Sequence, residues 1–118
     1  MATLGDLERA VMDTLWEAAE PLTSSEVQEA IGRVRDGSLA ATTVLTVLSR
    51  LEKKGFLARD RSTRPHLFRP THTSTEYTAE LMNQVLGSAK DRKAVLTRFV
   101  GEVGPGDTEM LRRILESQ

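Results

Sequence analysis

Apolar residues recur at helical spacing near the start of the chain. Leu7, Val11 and Leu15 form one stripe, with Trp16 beside it and charged residues on the other faces. Positions i, i+4 and i+8 share one face of a helix, so this stripe predicts an amphipathic first helix over residues 6–18. Trp16 lies among apolar partners at core spacing, which favours a place in the core over a stacking platform for bases.

A second helix has a clear start signal. The segment TSSE at residues 23–26 matches a capping box, in which a hydroxyl and a carboxylate bond the exposed backbone N–H groups of a helix start. The predicted helix runs to about residue 34. Leu22, just before the box, is expected to pair as a very short strand with a later hairpin. The inward positions of the helix are Val27, Ala30, Ile31 and Val34.

The period changes from helix to strand between residues 40 and 70. An apolar stripe over residues 44–51 predicts a third helix from about residue 40, and Gly55 ends it after two lysines. Residues 56–61 and 66–69 then read as two strands joined by a turn at 62–65. Three helices followed by a hairpin are the order of a winged helix-turn-helix. The predicted fold is therefore mainly α with a small β-hairpin, the third helix being the recognition helix and the hairpin the wing.

Charge singles out the same stretch. Residues 50–69 hold seven Lys or Arg against two acids, a net of +5 in a chain of net charge −1, whereas residues 1–49 hold three bases and eight acids. Clustered cations bind phosphates, and the short polar groups of the third helix suit base edges, so we expect double-stranded DNA as the partner. The predicted major-groove contacts are Thr42, Thr43, Thr46 and Arg50, with Thr43 partly toward the core. The predicted phosphate contacts are Lys53, Arg61, Arg64 and His66.

The alternative is a winged-helix protein-interaction module that uses the same basic face for an acidic partner.

Catalysis has no candidate, since no phosphate loop or nucleophile arrangement is present and the chain has no cysteine. His66, His72 and Glu76 are possible metal ligands, but their spacing crosses a strand end and a helix start without a fourth ligand, so no metal or cofactor is predicted. The start of the chain resembles no export signal and no apolar run is membrane-spanning, which predicts a cytoplasmic protein without membrane insertion.

Beyond residue 70 the pattern becomes a series of amphipathic helices. Thr73 or Ser74 is expected to begin one helix, a second follows the break at Gly87-Ser88, and Asp107 is expected to open the last. These roughly 45 residues are too few to close a core, so we expect a second copy of the chain to cover them, giving a two-fold homodimer; folding back on the first domain is the alternative. The predicted dimerisation residues are Leu81, Val85, Leu96, Phe99, Val103, Leu111, Ile114 and Leu115. The predicted domains are 1–71, winged helix, and 72–118, dimerisation.

The chain resembles the penicillinase-repressor family, the BlaI, MecI and CopY type of winged-helix repressor. The segments that carry the resemblance are LGDLERAVMDTLW, LTSSEVQEAI, ATTVLTVLSRLEKKGFL and the helices around KAVLTRFV. The resemblance implies a homodimeric transcriptional repressor of inverted-repeat operators that control β-lactamase or related antibiotic-resistance genes. It also implies induction by a membrane sensor-protease that responds to β-lactams and triggers cleavage in the dimerisation region.

Two features depart from the family pattern. Members of the β-lactam branch often carry lysine and arginine on the recognition helix where this chain has Thr42 and Leu45, so the operator sequence does not carry over. The family's Asn-Phe cleavage bond corresponds to Arg98-Phe99, which keeps the phenylalanine and not the asparagine. The cysteines through which copper-responsive relatives bind metal are missing, so that route of induction is closed.

Overall fold

The computed structural model describes residues 3–35, 37 and 39–118. Within these residues the chain forms six helices and one antiparallel hairpin, which confirms the predicted fold class. None of the helices described combines the length and the apolar character needed to cross a membrane. The elements are α1 (Asp6–Glu17), α2 (Ser24–Val34), α3 (Ala41–Lys53), β1 (Leu57–Asp60), β2 (Leu67–Pro70), α4 (Ser74–Gly87), α5 (Arg92–Glu102) and α6 (Pro105–Glu116).

Contacts group the described residues into two compact units that divide between Leu81 and Met82, within α4. The first unit contains α1 to α3, the hairpin and the start of α4. The second contains the end of α4 with α5 and α6. The predicted domain boundary at residues 71 and 72 stays a prediction about function.

Local capping signals define the helix starts of the first unit. Thr23 and Glu26 form the predicted capping box, since the Thr23 N–H donates to Glu26 Oε1 (2.9 Å) and the Glu26 N–H donates to Thr23 Oγ1 (3.2 Å). Thr73 and Glu76 repeat it at the start of α4, with distances of 2.9 and 3.0 Å. Gly55 follows α3 with a φ of +88°, a conformation that favours glycine, and turns the chain into β1.

The core of the first unit lies between α1, α2, α3 and the hairpin. Phe68 of β2 is 1% exposed, and its backbone pairs with Leu22 as predicted, with N···O distances of 3.0 and 2.7 Å. Trp16 packs against the edge of this core, and its Nε1–H donates to the His72 carbonyl at 2.8 Å. The buried core residues are Val11, Met12, Leu15, Val27, Ile31, Val44, Val47, Leu48, Leu51, Phe56, Leu57, Phe68 and Tyr77.

Two details of the sequence prediction are wrong. Val34 was expected to face inward but is 81% exposed, because it is the last residue of α2 and lines an open groove between α1 and α2. The last helix begins at Pro105 rather than Asp107. Proline is compatible with the first helical position, where its missing N–H would have no partner, and Gly104 serves as the N-cap.

Candidate nucleic-acid interface

The recognition helix candidate, α3, presents one continuous exposed face. Its apolar residues pack inward, which fixes the opposite face toward solvent. The outward positions follow helical spacing along the whole length of α3. They are Thr42, Leu45, Thr46, Ser49, Arg50 and Lys53, all of them exposed.

The three predicted threonines differ in their surroundings. Thr46 donates its hydroxyl hydrogen to the Thr42 carbonyl at 2.8 Å, so its oxygen remains an acceptor beside its methyl group. Thr42 is exposed, and Thr43 is half-buried, in keeping with its predicted position partly toward the core. Thr42 and Thr46 are therefore the two predicted threonine contacts that are exposed on α3.

Lys54 lies in the basic stretch but serves the fold. Its Nζ lies 2.8 and 3.0 Å from the two carboxylate oxygens of Glu8, a residue of α1 that is 7% exposed. Burial opposes ionisation of Glu8, but the hydrogen bond from the Gly5 N–H and the charge of Lys54 outweigh it and lower the pKa of Glu8. This ion pair joins the start of α1 to the end of α3.

The basic side chains of the wing have defined partners. Arg61 forms a bidentate ion pair with Glu52 of α3. Arg59 stacks over the Phe68 ring, 4.6 Å from its centroid. Arg64 uses Nη1 to donate to the carbonyls of Arg61 and Thr63, at 2.6 and 3.0 Å.

His66 lies among positively charged side chains of the wing. Desolvation lowers its pKa, the nearby charges of Arg64, Arg59 and Arg61 lower it further, and Asp60 opposes them. In the chain without DNA, these surroundings favour the neutral form of the ring.

Three more residues lie on this surface that the sequence prediction did not name as DNA contacts. Leu45 and Ser49 lie on the same exposed face of α3 as Thr42 and Thr46. Arg59 lies in the wing between Phe68 and Ser49, with Nη2 3.4 Å from Ser49 Oγ. Helical spacing marks Leu45 and Ser49, whereas the position of Arg59 depends on how the hairpin folds back on α3.

The predicted dimerisation residues range from partly buried to exposed. Leu81 packs against the core of the first unit, and Val103 and Leu111 are half-buried. Both residues of the candidate cleavage bond are exposed on α5, where Arg98 pairs with Glu102 at 3.2 Å and Phe99 is 47% exposed. The remaining members are exposed: Val85, Leu96, Ile114 and Leu115.

The fold is a winged helix-turn-helix. A solved MarR family protein from Bacillus stearothermophilus has a similar fold, with a TM-score of 0.53 over 98% of this chain and 73% of that chain at 17% identity. The sequence model of the penicillinase repressor family matches residues 4–117. The chain belongs to that family, as the sequence predicted.

Curated relatives agree with this assignment. The transcriptional regulator BlaI of Mycobacterium tuberculosis, in strains CDC 1551/Oshkosh and ATCC 25618/H37Rv, is 47% identical over 118 residues, covering 98% of this chain and 84% of the relative. The protein is thus a transcriptional repressor of the penicillinase-repressor type. The family and the relative are transcriptional regulators, which confirms the expectation that the chain is not an enzyme.

Proposed function

We propose that this repressor binds inverted-repeat operator DNA as a homodimer. In each subunit α3 enters the major groove and the hairpin lies along the phosphate backbone. The observation that carries this proposal is the exposed face of α3, where hydroxyls lie on the first turns and Arg50 and Lys53 on the last. A helix with such a face suits base contacts near its start and phosphate contacts near its end.

The charge distribution supports the same docking. The stretch from Arg50 to Arg69 carries a net charge of +5, while the rest of the chain is acidic. Lys54 is engaged with Glu8, so the cations that we assign to phosphates are Arg50, Lys53 and Arg64. Three contacts per subunit predict a strong salt dependence of binding.

The homodimer is supported by the surface of the second unit. Nine large apolar side chains of this unit are exposed, a larger apolar surface than a stable monomer normally leaves in water. A second copy of the chain would cover the same residues on both subunits, as two-fold symmetry requires. Two recognition helices related by that symmetry match the two halves of an inverted repeat.

The inducing signal is proposed from the family resemblance. We infer that the repressor controls β-lactamase or related antibiotic-response genes, and that a membrane sensor-protease triggers its cleavage at Arg98-Phe99. In the single chain both residues are exposed on α5, so the bond would be open to a protease wherever the second copy does not cover Phe99. Cutting there would separate part of α5 and all of α6 from the DNA-binding unit.

The deciding experiment compares fluorescence anisotropy of labelled duplexes. Inverted repeats from the DNA flanking the gene are measured against scrambled duplexes of equal length and composition. We expect the intact protein to bind at least one repeat about a thousandfold more tightly than its scrambled partner at physiological salt. Equal binding of both, together with tight binding of an acidic polypeptide, would instead support the protein-interaction module.

A further inference from the structure

Two side-chain contacts join α3 to the β1 side of the hairpin. Arg61 Nη1 and Nη2 lie 2.8 and 3.0 Å from the two carboxylate oxygens of Glu52. Arg59 Nη2 lies 3.4 Å from Ser49 Oγ. Ser49 and Glu52 are three residues apart and share one face of α3, whereas Arg59 lies in β1 and Arg61 follows its last residue, in the turn of the hairpin. One face of α3 therefore contacts both β1 and the turn that follows it.

The core-side end of this connection is anchored in the core. The Arg59 guanidinium stacks over Phe68, whose ring is fully buried and whose backbone pairs with Leu22. Toward the tip of the wing, the Glu52–Arg61 pair contacts α3, and it is more exposed, with side-chain exposures of 26% and 58%. This pair therefore joins the turn of the wing to α3.

Glu52 is unusual for its location. It is the only acid between Arg50 and Arg59, in a stretch proposed to face a polyanion. An acid there repels phosphate and weakens binding by simple electrostatics. Its carboxylate accepts two hydrogen bonds from the guanidinium of Arg61. Arginine binds a phosphate with the same bidentate geometry.

We propose that Glu52 and Arg61 form a brace that holds the wing against the recognition helix, so that Arg61 is a positioning residue rather than a phosphate contact. This inference rests on the proposed DNA-binding function. Arg64, three residues further along the wing, is then presented to the backbone in a fixed position. The benefit is pre-organisation, because a wing that is already positioned loses less freedom when it binds.

Glu52 could instead compete with phosphate for Arg61, and this alternative and the brace predict opposite results for Glu52→Gln. If Glu52 competes with phosphate for Arg61, neutralising it removes a repulsive charge and releases a cation, so DNA binding tightens. If Glu52 is half of a brace, the same substitution loosens the wing. The affinity for the inverted repeat then falls, by roughly three- to tenfold, the effect of immobilising one or two side chains.

The experiment measures Glu52→Gln, Arg61→Gln and the double variant by anisotropy on the inverted repeat, at several salt concentrations. Glu17→Gln, which removes the same charge from an exposed position of α1, is the matched control. The brace predicts that each single variant binds more weakly and that the double variant loses no more than either single one. It also predicts an unchanged salt slope for Arg61→Gln, since no phosphate contact is lost.

Three results would overturn the brace: tighter binding by Glu52→Gln than by Glu17→Gln, additive losses in the double variant, or a salt slope reduced by about 0.9 in Arg61→Gln. A second readout needs no DNA. Amide exchange of Ser62, whose N–H donates to Asp60 Oδ1 within the wing turn, should quicken in Glu52→Gln and Arg61→Gln but not in Glu17→Gln. If the wild-type protein fails to distinguish the inverted repeat, the proposed function fails, while the exchange data still decide whether the brace exists.

Discussion

The two units of the chain differ in what they do with their apolar residues. In the part of the chain that the structure describes, every buried core residue belongs to the first unit, whose exposed large apolar side chains are Val34 and Leu45. In the second unit α5 and α6 bury no residue, and nine large apolar side chains are exposed. The first unit has a complete core within one chain, whereas the second has the composition of one half of an interface.

This difference assigns separate tasks to the two units. A core that is complete in one chain keeps the recognition helix in place whatever the oligomeric state. An incomplete unit makes the assembly depend on protein concentration and on the integrity of α5 and α6. If the proposed homodimer binds the operator, damage to the second unit should lower the operator affinity even though the exposed face of α3 is unchanged.

The largest effect should follow from removing most of the second unit. A truncation ending at Arg98 retains the first unit, including the Leu81 that packs on its core. It should sediment as a monomer with a folded first unit, and bind the inverted repeat about a hundredfold or more weakly, because two linked half-site contacts become separate ones. Sedimentation velocity, circular dichroism and anisotropy measure the three properties. A truncated chain that stays dimeric and binds with full affinity would contradict the assignment of dimerisation to the second unit.

Two phenylalanines provide a matched pair for the same comparison. Phe68→Ala empties a core position and should lower the free energy of unfolding by about 3–5 kcal/mol at any protein concentration. Phe99→Ala removes the same ring from an exposed site on α5. It should weaken dimerisation while leaving the unfolding of the first unit unchanged. Urea unfolding of both variants in the full chain at two protein concentrations, with Phe68→Ala measured in the Arg98 truncation as well, would show whether the two effects separate in this way.

The salt dependence of binding tests the wing within the first unit. Arg64→Ala should reduce the slope of log affinity against log salt by about 0.9 per subunit, on inverted-repeat and scrambled duplexes alike, if its guanidinium contacts one phosphate. The sedimentation of the variant should match that of the wild type. An unchanged slope would place Arg64 away from the DNA backbone.

Base reading should produce a smaller effect that is confined to one kind of DNA. Thr46→Ala removes a hydroxyl oxygen and a methyl group from the exposed face of α3. We expect a loss of about 1 kcal/mol or more per half-site on the inverted repeat and no loss on scrambled duplexes. Ser49→Ala, one turn further along the same face, is the control for loss of a hydroxyl alone. Equal losses on both duplexes would contradict a role for Thr46 in base reading.

The sequence predicts best what depends on neighbouring residues. Periodicity located the helices, the capping box at residues 23–26 located the start of α2, and Gly55 located the end of α3. These features arise within a few residues, where spacing and backbone preference decide the structure. The bridge between Leu22 and Phe68 was also expected, although its two residues lie far apart in the chain.

The partners of the charged side chains depend on the angles between helices and strands. Those angles cannot be predicted from residue spacing. Lys54 and Glu8 are 46 positions apart, and Arg61 meets Glu52 only because Gly55 reverses the chain. The seven bases of residues 50–69 therefore looked equivalent as a charge cluster. The fold separates them into three groups. Lys54 stabilises the first unit, Arg59 and Arg61 contact α3, and the others remain on the surface.

The smallest predicted effect concerns this structural ion pair and its pH dependence. The pKa of Glu8 is lowered in the folded chain, so the pair stabilises the first unit above the ordinary pKa of 4.5 for glutamate. This contribution is lost as the pH falls through the lower folded value, because the protonated carboxyl no longer pairs with Lys54. Glu8→Gln should cost about 0.5–1 kcal/mol at pH 7, as partly exposed ion pairs do, and a smaller amount at pH 3. Urea unfolding of the Arg98 truncation at both pH values measures this difference free of the dimer. An equal cost at both pH values would mean that the charge of Glu8 does not account for the loss, since the glutamine amide oxygen can still accept from the Gly5 N–H.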